Sequence, residues 1–447
     1  MSIETWHKEF PDVHPHIVLK TDLLRQGMDI TKAALDNFQQ RDDLLWKGFH
    51  LFSYDMQETK VYGDKIPYSI RLEDGCNIQV RTNRFAPYLL DLVDGEFMLR
   101  ERENGYTIAR KIWFERKPRW YDMRTRDGIR MPAIVQGMSR MMYVLLNKYC
   151  ELFNTHDECF FCNLNSTLKD QKKGGEDVVA RMEPEQVAEA IQTALHVDHH
   201  YGWLYLSGGT ITTKYRGQTE LDFYCTRLNT IRERLQVWIP AAFQVAAYDD
   251  EGWKRIYDTG IPSIQPNIEV WDKKLFKRIC PGKERFVGYD EWIKRTIRAV
   301  DFWGPGKVNP NFVIGVEMAK PYGFEDVSSA VKSTAGGWDF LMSHGVLPRY
   351  NTWCPEPNTV FGQQEQPVPP LKYFIEVQKA YTELRQKYHF DPPFPATTSF
   401  FSFHHNCLND FEFYHGTGPL SKKYLDERLG VQLGERGGRF DQEGYTL

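Results

Sequence analysis

Between residues 134 and 388 the sequence alternates short apolar runs with amphipathic segments, and this alternation limits the possible folds more than any other feature. The apolar runs predict six strands, at 141–148, 203–206, 237–246, 263–270, 311–318 and 347–353. The segments between and after them predict helices, at 184–197, 220–235, 249–257, 289–302, 328–344 and 370–388. Strands that alternate with helices pair in parallel through right-handed crossovers. The sequence therefore predicts an α/β fold with a partial (β/α)6 barrel of the TIM type.

The segments on either side of this barrel have a different pattern. Residues 1–130 predict helices at 29–38 and 41–46, then short β-like runs at 50–54, 68–72, 77–81 and 107–114. The turn signals in this part are the dipeptides Asp74-Gly75, Asp94-Gly95 and Asn104-Gly105. We interpret 1–130 as a small, mostly antiparallel N-terminal region that acts as a cap or as a homodimer surface. Residues 131–395 are then the barrel, and 396–447 are a C-terminal extension that covers one end of it.

The composition argues against several classes of protein. With 56 basic and 60 acidic residues the net charge is -4, so neither a nucleic acid nor an anionic membrane is expected as a partner. No apolar run approaches the roughly 18–20 residues that cross a bilayer, and the N-terminus has no apolar core of the signal-peptide type. Eight cysteines in a long chain without an export signal favour reduced thiols or a metal site over disulfides. The expected location is the cytoplasm.

Three cysteines lie close together in the loop after the first predicted barrel strand. Eight residues separate Cys150 from Cys159, and two residues separate Cys159 from Cys162. Thiolates at this spacing can share one metal centre, and three of them on a four-iron cluster leave one iron open for chemistry. A closed zinc site needs a fourth ligand, for which His156 is the local candidate. The residues alone leave both kinds of site open.

The run Ser207-Gly208-Gly209-Thr210 ends the second predicted strand, and its paired glycines allow the backbone to approach a ligand closely. Together with the cysteine loop, this run resembles the radical S-adenosylmethionine (SAM) superfamily. In that family a three-cysteine loop follows the first barrel strand, and a Gly-Gly-Glu-like turn ends the second. The chain keeps the two-residue gap and an aromatic residue, Phe161, before the last cysteine. It departs in its eight-residue first gap and in Thr210, where an acid is common.

The fourth and fifth predicted strands extend the resemblance. The run Asn267-Ile268-Glu269-Val270 looks like the biotin synthase-like branch of the superfamily, which includes the synthases and maturases for biotin, hydrogenase cofactors and methylornithine. In that branch an Asn and an acid on this strand contact SAM, which implies the same role for Asn267 and Glu269. Gly315 and Glu317 stand where the family has its adenine-side motif.

The resemblance implies a reaction and its cofactors. A [4Fe–4S] cluster on the three cysteines would reduce SAM to methionine and a 5′-deoxyadenosyl radical, which takes hydrogen from a small-molecule substrate. An electron donor such as flavodoxin or ferredoxin would supply the cluster. A second outcome is cleavage at another sulfonium carbon, with transfer of a 3-amino-3-carboxypropyl group. The alternatives from other classes are a zinc-stabilised barrel hydrolase or lyase, with Glu269 and Glu317 as acid and base, and an iron–sulfur protein that only binds or carries electrons.

Five further residues are candidates for contacting the substrate. Arg349, Tyr350 and Cys354 lie at the end of the sixth predicted strand, where an arginine fork can hold a carboxylate. His404 and His405 lie among aromatic residues and predict a lid over the substrate pocket. No catalytic residue is assigned, and the sequence specifies no substrate beyond a small molecule.

Overall fold

A computed structural model describes residues 3–47, 60–63, 65–138, 141–173, 178–199, 201–391, 406–418 and 421–423. Over these residues the chain is a mixed α/β fold with two large hydrophobic cores, one on parallel strands and one in the N-terminal region. No helix within these ranges is long and apolar enough to span a membrane.

In its described part, the N-terminal region contains short helices and strands. The helices are α1 Ile3–Glu9, α2 Pro15–Gln26 and α3 Lys32–Gln39. The strands are β1 Asp29–Ile30, β2 Ser69–Arg71, β3 Asn77–Gln79, β4 Tyr88–Val93, β5 Glu96–Glu101, β6 Thr107–Ala109 and β7 Trp113–Phe114. They form one sheet in the order β1-β4-β5-β6 and another in the order β3-β2-β7, and every pair except β1 with β4 is antiparallel.

Local chemistry explains where this region differs from the prediction. The predicted helix at 29–38 begins later, at Lys32, because the side chain of Thr31 caps it by accepting a hydrogen bond from the Ala34 amide. The segment 41–46 is not helical, since Leu44 and Trp46 form isolated antiparallel β-bridges to Arg116 and Pro67. The signal at Asp94 does mark a hairpin turn, between β4 and β5, which were not among the predicted β runs. The predicted run at 50–54 lies outside the described residues.

Parallel strands build the larger core. The five strands of its main sheet are β8 Val135–Met138, β9 Met141–Asn147, β10 Trp203–Gly208, β11 Ala241–Val245 and β12 Ile264–Pro266. All pairs in it are parallel except β8 with β9. A separate parallel pair consists of β13 Asn311–Ile314 and β14 Arg349–Thr352. Parallel bridges from Ile264 to Val308 and from Glu269 to Phe312 link the two sheets.

Helices follow the parallel strands, as the alternation predicts. They are α4 Leu164–Lys173, α5 Pro184–Val197, α6 Glu220–Leu235, α7 Asp250–Tyr257, α8 Lys273–Ile279, α9 Pro281–Phe286, α10 Tyr289–Arg298, α11 Val300–Trp303, α12 Val327–Ser343 and α13 Leu371–Lys387. The helices α4, α8 and α9 were not predicted. The fifth strand is shorter than predicted because Gly315, directly after it, has a left-handed φ angle of 108° that a strand does not allow. The fourth strand ends at Pro266, before Glu269, whose φ angle of 73° keeps the chain from resuming it.

One long helix joins the two cores. Leu371 and Ile375 of α13 belong to the N-terminal core, whereas Phe374 and Val377 belong to the core on the parallel strands. The described part of the C-terminal extension contains helix α14, Asp410–His415, which contacts α13. Its Tyr414 stacks on His14 at 3.9 Å between ring centroids, so this part of the extension packs on the N-terminal region.

Candidate active site

A cavity of about 370 Å³ lies at one end of the parallel strands. Residues at or just after the carboxyl ends of β9, β10, β11, β12 and β14 line it, which is where enzymes with parallel α/β barrels hold their ligands. The predicted site residues in its lining are Cys150, Cys159, Phe161, Cys162, Ser207, Gly208, Gly209, Thr210, Asn267, Glu269, Arg349 and Cys354. Gly315, Glu317 and Tyr350 are not in this lining. His404 and His405 lie outside the described residues.

Hydrogen bonds on two sides hold the cysteine loop. The Cys150 amide donates to Oδ1 of Asn165 at 2.8 Å, and Nδ2 of Asn165 donates back to the Cys150 carbonyl at 2.9 Å. The Phe160 amide donates to the carbonyl of Ile279, at the end of α8, at 2.9 Å. The loop is therefore anchored both to the helix that follows it and to the helices after β12.

The three thiols are close enough to affect one another's ionisation. Burial raises the pKa of Cys150 to about 11. Burial also raises the pKa of Cys162, and negative charge on Cys159 and Cys150 raises it further. The pKa of Cys159 is lowered instead, first by a hydrogen bond from the Cys280 thiol and then by the charge of Lys283. Thiols in this arrangement repel one another as thiolates, and a bound cationic metal centre removes that repulsion.

The turn after β10 packs directly on the cysteine loop. A Cβ atom at Gly209 would lie 2.7 Å from the Cα and amide nitrogen of Cys150, so only glycine fits there. The Gly209 amide donates to the Asn147 carbonyl at 2.8 Å, and the Glu151 amide donates to the Thr210 carbonyl at 2.8 Å. Nδ2 of Asn147 also donates to the Gly209 carbonyl at 2.8 Å. The glycine that drew attention in the sequence thus brings two strand ends together.

The residues after β12 form a buried ion pair. Nζ of Lys283 lies 2.7 Å from Oε1 of Glu269, and the two side chains are only 14% and 9% exposed. Nζ also donates to the Asn267 carbonyl at 2.7 Å, while Oδ1 of Asn267 accepts from the Asn311 amide at 3.0 Å. Burial lowers the pKa of Lys283, but the charges of Glu269, Cys159 and Cys280 together outweigh it, and the net pKa is raised. Lys283 therefore neutralises the acid that faces the cavity.

The sixth strand contributes a buried cation. Arg349 is 4% exposed, and its guanidinium carbon lies 5.1 Å from the centroid of the Tyr205 ring, across the cavity. Burial lowers its pKa and also raises the pKa of the Cys354 thiol nearby. Tyr350 faces the other way and stacks on Trp338 inside the core.

Gly315 and Glu317 lie in a turn beyond β13 and not on a strand face that reaches the cavity. Oε1 of Glu317 accepts a hydrogen bond from Thr334 at 2.6 Å and another from the Tyr373 hydroxyl, and Oε2 accepts from the Gly315 amide at 2.7 Å. Burial raises the pKa of Glu317, which these donors partly offset. In the structure, this carboxylate links the turn to α12 and α13, which differs from the predicted position along the ligand face.

Two cavity residues were missed in the sequence. Lys283 follows Pro281-Gly282, and its only signal was that a buried Glu269 needs a cationic partner. Arg81 comes from the N-terminal region and lines the cavity beside the sixth strand. Arg81 was even less apparent from the sequence, since no residue near it in the chain shows that β3 faces the barrel.

Comparisons with known proteins give a sequence relative and similar solved structures. No protein-family model matches the chain. It is similar to the bacteriochlorophyllide c C-7(1)-hydroxylase of Chlorobaculum limnaeum, with 25% identity over 291 residues that cover 61% of this chain and 67% of the relative. A similar solved structure is methylornithine synthase, with a TM-score of 0.40, 15% identity and coverage of 55% of this chain and 63% of that one. Another is coproporphyrinogen III oxidase from Escherichia coli, a radical SAM enzyme, with a TM-score of 0.33, 12% identity and coverage of 58% and 55%.

The chain spans less than two thirds of either solved relative. Its sequence similarity to the hydroxylase, with the cysteine loop and the glycine turn, supports the radical SAM superfamily and an enzyme of that class. Enzymes of this superfamily use a [4Fe–4S] cluster and S-adenosylmethionine.

Proposed function

We propose that Cys150, Cys159 and Cys162 hold a [4Fe–4S] cluster, and that the enzyme uses SAM for radical chemistry on a small molecule in the cavity. One observation carries the proposal: all three thiols line the same cavity, into which the turn around Gly209 also faces. We further propose that the parallel strands form an open (β/α)6 barrel around that cavity, and that a flavodoxin- or ferredoxin-like donor delivers the electron.

The donor set fits a cluster better than a single ion. Among the described residues, no group of three or more His, Cys, Asp or Glu side chains is arranged to hold one metal ion. A zinc hydrolase needs such a group, with ligands about 2.0–2.3 Å from one centre. A four-iron cluster takes each thiolate on a different iron, so its ligands are spaced around a larger body. Cysteines that surround a cavity and influence one another's ionisation meet that requirement.

When bound, the cluster supplies one electron that breaks a carbon–sulfur bond of SAM and gives a 5′-deoxyadenosyl radical. The protein's own residues would bind and orient SAM and the substrate. The strand-end groups of 207–210 offer amides, carbonyls and hydroxyls, and Phe161 covers the loop beside the last cysteine. Asn267 and the ion pair of Glu269 with Lys283 present a neutralised polar wall to the amino acid part of SAM. Buried walls of this kind keep water from a reactive radical.

The hydroxylase relative favours one kind of outcome. Its name describes replacement of hydrogen by a hydroxyl group on a bacteriochlorophyllide. For this chain we propose the same general class, functionalisation of a C–H bond of the substrate. Transfer of a 3-amino-3-carboxypropyl group is the second candidate, because the eight-residue gap between Cys150 and Cys159 departs from the usual spacing.

Anaerobic reconstitution with iron and sulfide tests the proposal. The wild type should turn brown, bleach with dithionite and contain about four irons per chain, and Cys159→Ala should lose both the colour and SAM cleavage. The matched control is Cys225→Ala, a buried thiol on α6 that does not line the cavity. Stoichiometric zinc without iron, or a Cys159→Ala protein that still cleaves SAM, would overturn the proposal. Product analysis then separates 5′-deoxyadenosine from methylthioadenosine, and so radical chemistry from group transfer.

A further inference from the structure

The N-terminal region supplies one wall of the cavity. Tyr68, Gln79 and Arg81 line it together with the strand ends of the larger core. Gln79 ends β3, and Arg81 is two residues later, so both side chains point to the same side of that extended segment. The region therefore takes part in the site itself, beyond the role of a cap or dimer surface that its sequence suggested.

Arg81 is held at both of its ends. Its carbonyl accepts a hydrogen bond from the Met28 amide at 2.8 Å, and its Nη2 donates to the Thr352 carbonyl at the end of β14, at 3.0 Å. Gly27 packs against the same carbonyl, where a Cβ atom would come within 2.6 Å. The side chain thus spans from the N-terminal core to the sixth parallel strand in a fixed position.

The other terminal nitrogen of Arg81 lacks an acceptor. Among the described residues, Nη1 is buried without a hydrogen-bond partner, and the one side chain near the guanidinium that bears on its charge is the Cys354 thiol, whose pKa Arg81 lowers. Three acids line the cavity. Glu269 pairs with Lys283, and Glu220 accepts from Tyr248 and from the Ile211 amide, so these two are engaged elsewhere; the third, Glu356, lies near Cys354 and raises the pKa of its thiol. A buried charged donor without an acceptor is costly, so in a native site it needs an explanation, and for a donor that lines a cavity a ligand supplies one.

We propose that Arg81 binds an oxyanion of the substrate, a carboxylate or a phosphate, so that the substrate is an anionic small molecule. The proposal rests on the proposed function. Arg81 lies beside Thr352 and Cys354, at the end of the sixth strand, whereas the proposed SAM contacts lie at the ends of β10 and β12. Arg349 adds a second buried cation to the same cavity. The Arg81 fork is pre-organised for such a group because its position does not depend on the ligand.

The test measures binding without turnover. Cluster-loaded protein with SAM and no reductant is titrated with glutarate, with inorganic phosphate and with glutaramide, which has a similar size but no charge, while tryptophan fluorescence and the melting temperature are followed. The variants are Arg81→Met, Arg81→Lys and Arg84→Met. Arg84 is the matched control, because it lies three residues away on the exposed side of the same segment.

We expect saturable binding of glutarate or phosphate but not of glutaramide. Arg81→Met should raise the apparent Kd at least about tenfold, Arg81→Lys should restore part of the affinity, and Arg84→Met should match the wild type. The two anions distinguish a carboxylate from a phosphate substrate. No binding of either anion to the wild type, or equal binding to Arg81→Met, would overturn the proposal. A loss of SAM affinity in Arg81→Met would overturn it as well, because Arg81 would then serve SAM. Wild-type protein that turns brown and cleaves SAM but binds neither anion would refute this proposal and leave the cluster proposal intact, so the two failures are distinguishable.

Discussion

Replacing Lys283 by methionine tests whether the ion pair in the cavity wall is as buried as its geometry indicates. The change keeps most of the aliphatic stem and removes the charge, together with the contact of Nζ over the Trp292 ring at 4.7 Å from its centroid. Glu269 would then remain buried beside a neutral group, and breaking a buried pair in this way costs about 3–5 kcal/mol. Little of this is lost to solvent screening, since the side chains of Lys283 and Glu269 are 14% and 9% exposed.

The assay is urea unfolding of the metal-free protein under reducing conditions, followed by circular dichroism and fluorescence. The two signals must give coincident transitions for one free energy to be defined. The double variant Lys283→Met/Glu269→Gln should recover part of the loss, with an interaction energy of about 1–3 kcal/mol. Lys277→Met is the matched control, because Lys277 pairs with Glu284 at 2.6 Å on the surface nearby. A Lys283→Met effect no larger than that of Lys277→Met would refute the argument, as would a double variant no more stable than the single one.

Three further predictions concern positions away from the cavity. Glu317→Gln should cost about 1–3 kcal/mol of stability, because an amide group would face the Gly315 amide donor, and should leave SAM affinity unchanged in calorimetric titration. Acidification from pH 6.5 to 4 should destabilise the protein, because burial and neighbouring charges, chiefly His16, lower the pKa of His14 to about 4 while the unfolded chain takes up the proton near 6.5. Because His14 is partly exposed, the loss of stability between pH 6.5 and 4 should be only about 1–2 kcal/mol. Melting curves of His14→Asn should not show this loss. Gly336→Ala should stabilise α12 by about 0.5–1 kcal/mol, whereas Gly337→Ala should destabilise it, since its Cβ would lie 2.3 Å from the Trp271 ring; melting temperatures decide both.

The sign of the His14 prediction follows from proton uptake. The folded state binds the proton less readily than the unfolded state, so stability is complete above pH 6.5 and falls as the pH approaches 4. The groups that face His14 are His16, Asp74, His415 and Lys422. A flat stability profile over this range in the wild type would contradict the reasoning.

Periodic sequence segments were predictable, because their signal is local. The helix at 184–197 has Val187, Ile191 and Leu195 on one face and Pro184 in its first turn, and the structure has a helix with the same bounds. The cysteine loop and the glycine turn were also recognisable from the sequence. A close approach between two backbone segments leaves no room for a side chain and therefore requires glycine. Gly209 is required by a contact 2.7 Å away, and that requirement appears in the sequence as a glycine.

Strand ends and partners could not be predicted, because distant residues decide them. The fourth strand looked continuous to Val270 in the sequence. In the structure, the Asn267 side chain accepts a hydrogen bond from the Asn311 amide of another strand, and the Glu269 carboxylate forms an ion pair with Lys283. Likewise, the position of Glu317 in the sequence fits an inward-facing residue of a continuous strand. The chain turns at Gly315, however, and the Glu317 carboxylate accepts hydrogen bonds from the hydroxyl groups of Thr334 on α12 and Tyr373 on α13. In each case a tertiary contact outweighs the local pattern.

Arg81 links ligand binding in the cavity to the contact between the two hydrophobic cores. The cavity wall needs the N-terminal region docked, and docking is fixed by α13, which has residues in both cores, and by the hydrogen bond from Arg81 to the Thr352 carbonyl at 3.0 Å. Any ligand that binds Arg81 therefore also stabilises the contact between the cores, because binding to the docked form alone shifts the equilibrium towards it. Substrate should then protect the N-terminal strands from hydrogen exchange, although most of them never touch it. This follows from the placement of one arginine whose backbone belongs to one core and whose side chain reaches the other.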